Sequence, residues 1–133
     1  MHAWQLIKLP ILALGLLFVA IAPALALESK PYDAESFKAA QSAGKPVLVH
    51  VHAPWCPTCK AQQQVLENLK DKPEYETITV FTVDFDNQKD AVQSFGARSQ
   101  STLIAYKGDT ETGRSAGNTS SQAIESLLKT TLK

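Results

Sequence analysis

The stretch from Pro46 to Lys70 constrains this chain more than any other. Pro46-Val47-Leu48-Val49-His50-Val51-His52 reads as a buried strand, and Lys60 to Lys70 reads as a helix. Between them lies Trp55-Cys56-Pro57-Thr58-Cys59-Lys60, which holds the only two cysteines of the 133 residues. Two cysteines three positions apart, with no others, give no material for a structural disulfide framework. The pair is a ligand site, a redox couple or an accident. A C-x-x-C at a strand-to-helix junction points to thiol–disulfide chemistry.

The N-terminal part of the chain bounds where that chemistry takes place. Leu9 to Leu27 carries no charged side chain, and Lys8 precedes it. The most apolar run, Ile11 to Ala22, is followed by Pro23 and then Ala24-Leu25-Ala26. A basic start, an apolar middle and a small-x-small exit form the pattern of a secretory signal peptide. The run is short against the ~20 residues that a membrane span needs. We therefore expect residues 1–26 to be an export signal cleaved after Ala26, or else an uncleaved N-terminal anchor, and 27–133 to be one domain. The expected location is periplasmic or secreted, or tethered to the membrane. Thirteen basic and thirteen acidic side chains balance over the whole chain, and only Lys8 lies in the leader, so the domain has a formal charge of −1. Nothing resembles the basic stripe that a phosphate backbone requires, so nucleic acid is not an expected partner.

Along the rest of the chain, helical and strand patterns alternate. Asp33 is placed to cap a helix over Ala34–Ala43 that Gly44 stops. After the C-x-x-C comes a helix with Val65, Leu66 and Leu69 on one side. Thr77 to Val83 reads as a second strand, Asn87 to Phe95 as a short helix, and Thr102 to Tyr106 as a third strand. A weaker strand is expected over Gly113 to Ala116. The last helix runs from about Ser120 to Leu132, with Ala123, Ile124, Leu127 and Leu128 as its packing stripe. Such alternation implies an α/β sandwich with the sheet in the middle.

From about Pro31 to Leu132 the chain resembles the thioredoxin family. Val47-Leu48-Val49 and Ala53-Pro54-Trp55-Cys56-Pro57-Thr58-Cys59-Lys60 resemble its active-site strand and turn, and Val83-Asp84-Phe85-Asp86 its next strand end. Phe95-Gly96-Ala97-Arg98, Thr102-Leu103-Ile104, Tyr106-Lys107-Gly108 and Ala116-Gly117 resemble its second half. The resemblance implies a three-layer sandwich: a central mixed sheet of four or five strands flanked by about four helices. It also implies a thiol–disulfide oxidoreductase whose only redox group is the Cys56–Cys59 disulfide, with no other cofactor. Its expected partners are protein thiols and disulfides, and it is expected to be a monomer. Dedicated oxidases on this fold usually carry a helical insertion, and isomerases a dimerisation domain. The pattern here has neither, which favours a reductase or electron carrier recharged by a membrane electron-transfer protein, with a disulfide oxidase as the alternative.

A thiol at a helix N-terminus faces unpaired backbone N–H groups and a favourable dipole, which favour the thiolate. Cys56 takes that position and is assigned as the nucleophile; Cys59, one turn in, resolves the mixed disulfide. His50 stands where the family usually has a buried acid beneath the second cysteine. It is either a proton acceptor for the resolving thiol or a neutral core histidine with both nitrogens satisfied. Trp55, Pro57 and Thr58 are expected to face substrate, together with Gln100, Ser101 and Thr102 on the opposing loop. Trp55 can equally be a large aromatic filling a gap. His52 falls nearer the strand end, as a rim residue. The family's usual cis-proline is replaced by Ser101, where a cis bond would cost about 2.5–4 kcal/mol, so a trans bond is expected. Its N–H must then find a partner, and its hydroxyl is a candidate donor to a cysteine sulfur, which would shift that thiol's pKa. The rival use of the pair is a metal module, with zinc or copper held by Cys56, Cys59 and His50 or His52. A closed zinc site needs four such donors.

Overall fold

Pro46 to His52 forms strand β2, and every residue in it but His52 is buried. A strand covered on both faces must be apolar on both, and the β-branched run Val47-Leu48-Val49 meets that demand. The computed structural model describes residues 19–20 and 26–133. Strand β1 spans Glu28–Pro31, helix α1 Ala34–Ser42, helix α2 Pro57–Leu69 and a 3₁₀ turn Pro73–Tyr75. Strand β3 spans Thr79–Asp84, helix α3 Lys89–Ser94, strand β4 Thr102–Lys107, strand β5 Thr110–Ala116 and helix α4 Ser121–Thr130. The five strands form one sheet in the order β1-β3-β2-β4-β5. The first three are parallel, and β4 and β5 run antiparallel to their neighbours. This is the expected mixed sheet with four flanking helices.

Alternation along the strands sorts the core into two layers. Leu48, Val80, Leu103 and Ala105 face α2 and α4, where they meet Leu66, Leu69, Ile124 and Leu128. Val47, Val49, Val51, Phe81, Val83 and Ile104 face α1 and α3, against Phe37, Val92 and Phe95. His50 and His52 share the α2 side of β2, with ring centroids 5.3 Å apart. Burying each large aliphatic or aromatic side chain contributes roughly 1.5–3 kcal/mol. Several dozen kcal/mol of burial therefore back the backbone that carries the cysteines.

The local signals act as expected at most element ends. Asp33 caps α1, its carboxylate accepting the Ser36 N–H at 2.8 Å, and Gly44 takes φ +69° just after the helix. Ser120 caps α4 through the Ala123 N–H. The expected stripe on that helix is the packed one, with Ile124 and Leu128 buried and Leu127 against the core. Strand β1 is an addition to the expected order, which began with a helix. Its four residues are largely exposed and end in proline, so no apolar alternation marks them. They are held by parallel pairing with β3, Glu28 opposite Thr79 through Pro31 opposite Thr82. The expected leader at 1–26 falls almost wholly outside the described residues. Among the described residues no helix is long and apolar enough to cross a membrane.

Candidate active site

Helix α2 begins at Pro57, three residues ahead of the expected Lys60, so both cysteines belong to its first turn. Cys56 is the N-cap residue: its backbone is extended, and its sulfur accepts the N–H of Cys59 at 3.1 Å. Pro57 at the first helical position lacks the N–H that would otherwise be unpaired there. The two thiols are free and unequal. Cys56 is 3% exposed and Cys59 fully buried. Burial and the neighbouring Cys56 sulfur push the Cys59 thiol up to about 11, opposed by the backbone N–H groups of Ala53 and Ser101. The Cys59 S–H lies 3.9 Å from the Val51 carbonyl oxygen. Ala53 and Phe85 complete the small apolar cluster around the pair.

The loop opposite the cysteines takes the form that serine, and not proline, allows. No peptide bond among the described residues is cis, and Ser101 sits at φ +58°, the only positive φ outside glycine. Its N–H donates to the Val51 carbonyl at 2.7 Å, which is the partner the freed N–H required. Its carbonyl accepts the Gly117 N–H at 2.9 Å and the Gln62 amide at 2.9 Å. The Ser101 hydroxyl donates to the Gln100 carbonyl at 2.6 Å, so it is not directed to a cysteine sulfur. Thr102 turns its hydroxyl to the Ser99 carbonyl.

His50 is buried beneath α2, and its Nε2 meets Gln62 Oε1 at 3.1 Å. Burial, with His52 nearby, lowers its pKa to about 4, so the ring is neutral at neutral pH. It makes no hydrogen bond to either cysteine; its link to the cysteine side of the molecule is Gln62. Gln62 is fully buried and donates to the carbonyls of Ser101 and, at 3.0 Å, Asn118. Nothing in the motif reading singled out Gln62, although its spacing to Cys59, Leu66 and Leu69 places it on the inward stripe of α2. His50 and His52 line a cleft of about 550 Å3, together with Glu28, Glu67 and Lys70. The four candidate metal donors do not converge: among the described residues no three His, Cys, Asp or Glu side chains are grouped to hold an ion. The Cys56 sulfur caps the N-terminus of α2, while His50 and His52 lie on the α2 side of β2.

Trp55 is the exposed aromatic of the site, 59% accessible, and its indole N–H donates to Asp86 at 2.8 Å. Pro54, Trp55, Cys56, Pro57 and Lys60 line a shallow hollow beside the nucleophile. Thr58 flanks it on the same turn.

An α/β sandwich with a redox pair capping the helix after its central strand defines a thiol–disulfide oxidoreductase. The chain belongs to the thioredoxin family: the family model for thioredoxin matches residues 28–130. A thioredoxin of Chlamydia muridarum is 34% identical over 82 residues, 62% of this chain and 78% of its own length. A thioredoxin of Alicyclobacillus acidocaldarius is 30% identical over 98 residues, 74% of this chain and 92% of its own. Among solved structures, Trxlp from Edwardsiella tarda is 44% identical with a TM-score of 0.74, over 76% of this chain and 98% of that one.

Proposed function

We propose that the protein is an exported disulfide reductase or electron carrier in which Cys56 attacks and Cys59 resolves. The observation that carries the assignment is the inequality of the two thiols: one caps a helix and accepts an amide N–H, while the other is sealed and held protonated. In the first step the Cys56 thiolate attacks one sulfur of a substrate disulfide, and the other sulfur leaves as a thiolate. In the second, Cys59 loses its proton and attacks the Cys56 sulfur. The Cys56–Cys59 disulfide forms, and the substrate leaves with both electrons. The domain then needs two electrons from a donor, for which a membrane electron-transfer protein fits an exported location.

Three features support the finer reading. The basic, apolar and small-residue segments from Lys8 to Ala26 match an export signal. The helices between strands have 9, 13 and 6 residues, with no helical insertion among the described elements. The Pro54–Trp55–Pro57 surface offers apolar contact beside the nucleophile, and the Ser101 hydroxyl engages the Gln100 carbonyl that faces substrate in the proposed docking mode. His50 contributes from beneath through Gln62. Two measurements test this. The Cys56–Cys59 couple is expected near a thioredoxin-like potential of about −270 mV, and a value near about −120 mV would reverse the direction to oxidase. The protein recovered from an exported fraction is expected to begin at Leu27, and a full-length soluble form in the cytoplasm would overturn the export reading.

A further inference from the structure

His50 and Ser101 are the two positions where this chain departs from the residues its family usually carries around the pair. One side chain joins them. Gln62 has a single amide, and all of it is used: Nε2 donates to the Ser101 carbonyl at 2.9 Å and the Asn118 carbonyl at 3.0 Å, and Oε1 faces His50 Nε2 at 3.1 Å. Carbonyl oxygens only accept, so the nitrogen of Gln62 must face them and its oxygen must face the histidine. That oxygen also only accepts. The proton on His50 is therefore on Nε2, and Nδ1 carries the lone pair.

The other end of the clamp is strained. A non-glycine residue at φ +58° persists only where its surroundings over-determine it. Four hydrogen bonds do this at Ser101: its N–H to Val51, its carbonyl from Gly117 and from Gln62, and its hydroxyl to Gln100. The Val51 carbonyl that receives the Ser101 N–H also receives the Cys59 S–H. The Ser101 peptide is thus held directly against the resolving thiol, and Gln62 is the one side chain that reaches it from α2.

We propose that Gln62 is a positioning residue for the exchange reaction, fixing His50 as the Nε2–H tautomer and clamping the Ser101 peptide over Cys59 so that the second, resolving step proceeds. The inference rests on the assignment of Cys59 as the resolving thiol. It separates the two steps: Cys56 caps the helix without a hydrogen bond to Gln62, and its attack does not depend on the clamp.

The test uses the reduced full-length protein and 5,5′-dithiobis(2-nitrobenzoate). Attack by Cys56 forms the mixed disulfide and releases one thionitrobenzoate; closure by Cys59 forms the Cys56–Cys59 bond and releases the second. Gln62→Met, of similar length and without a donor, is expected to slow the second release about tenfold, a barrier increase of about 1.4 kcal/mol, and to leave the first within about twofold. Gln62→Glu keeps an oxygen toward His50 but loses the amide donor to the Ser101 and Asn118 carbonyls, so it is also expected to slow the second release. The wild-type His50 tautomer, read by nitrogen-15 NMR, needs no variant to fold and is expected to be Nε2–H. A proton on Nδ1, an unchanged second release in Gln62→Met, or equal slowing of both releases would overturn the proposal. Failure of the underlying assignment looks different: the fast first release would be lost in Cys59→Ser and kept in Cys56→Ser, whatever the state of Gln62.

Discussion

Replacing Ser101 by proline puts the family's usual residue back, and the structure argues that this chain no longer accepts it. Proline fixes φ near −65° and has no N–H, while the site holds φ +58° and uses the N–H at 2.7 Å to Val51. To relax, the loop must turn the Ser101 peptide away, and its carbonyl then leaves Gly117 and Gln62. The hydroxyl bond to Gln100 goes with the side chain. Four hydrogen bonds at a net ~1 kcal/mol each give about 4 kcal/mol. Relief of the left-handed conformation returns about 1 kcal/mol, and the stiffer unfolded chain returns up to about 1 kcal/mol. The expected net loss is about 2 kcal/mol for Ser101→Pro, or roughly 10 °C in Tm for a domain near 100 residues. Urea unfolding of the reduced protein is the assay. The control is Ser101→Gly, which keeps the N–H and the positive φ, loses only the hydroxyl bond and gains backbone ease, and should fall within about 1 kcal/mol of wild type. A proline variant as stable as wild type, or a glycine variant as damaged as the proline one, would refute this reasoning.

Other expectations follow from the same geometry. His50 has a folded-state pKa of about 4 against an ordinary value of ~6.5. The unfolded chain therefore binds the extra proton first, so stability is intact above pH ~6.5 and declines toward pH ~4, by roughly 2–3 kcal/mol between pH 7.5 and 4.5. His52, Glu28, Glu67 and Lys70 share its cleft, so the check is a difference: His50→Gln should flatten that limb, and an identical slope in the variant would rule it out. Cys56→Ser should abolish insulin reduction, and Cys59→Ser should accumulate a covalent substrate adduct visible by mass spectrometry; an adduct that forms only on Cys59 would invert the roles. Asp86→Ala should speed hydrogen exchange at the Trp55 indole N–H and cost under about 1 kcal/mol, since the bond lies at an exposed site. Slow exchange that survives the substitution would mean that another group protects the indole.

The sequence made the central scaffold legible because the relevant signals are local. A β-branched run, a C-x-x-C and a helical stripe each state their own period, and together they placed Cys56 and Cys59 at one strand-to-helix turn. The presence of Ser101 was readable, and so was the need of its N–H for a partner. The identity of that partner was not, because Val51 lies 50 residues earlier and only the register of β2 against β4, Val51 opposite Thr102, brings the two together. Strand β1 was hidden for a related reason: its four residues carry no apolar pattern, and pairing with β3 alone makes it a strand. Gln62 was hidden by composition. It opens the run Gln62-Gln63-Gln64, which reads as a wet helix face, yet only the first of the three shares the Cys59, Leu66 and Leu69 stripe.

That buried glutamine changes how the departures at 50 and 101 are understood. Taken singly, each is a loss: a buried acid exchanged for a ring held neutral at neutral pH, and a rigid proline exchanged for a strained serine. A buried histidine with one proton to donate needs an acceptor, and a serine at positive φ needs its carbonyl held. One primary amide has an acceptor at one end and two donors at the other, so Gln62 meets both demands with no polar atom left over. Among the described residues no buried side-chain nitrogen or oxygen lacks a partner. Partial reversions follow from this logic. Substituting His50 or Gln62 alone by an apolar residue strands a buried polar group at a cost of about 1–3 kcal/mol. Replacing His50 and Gln62 together by apolar residues strands only the Asn118 and Ser101 carbonyls, and the latter still has Gly117. The double variant is therefore expected to be more stable than the sum of the single changes predicts, and strict additivity in urea unfolding would show that His50 and Gln62 do not act as one unit.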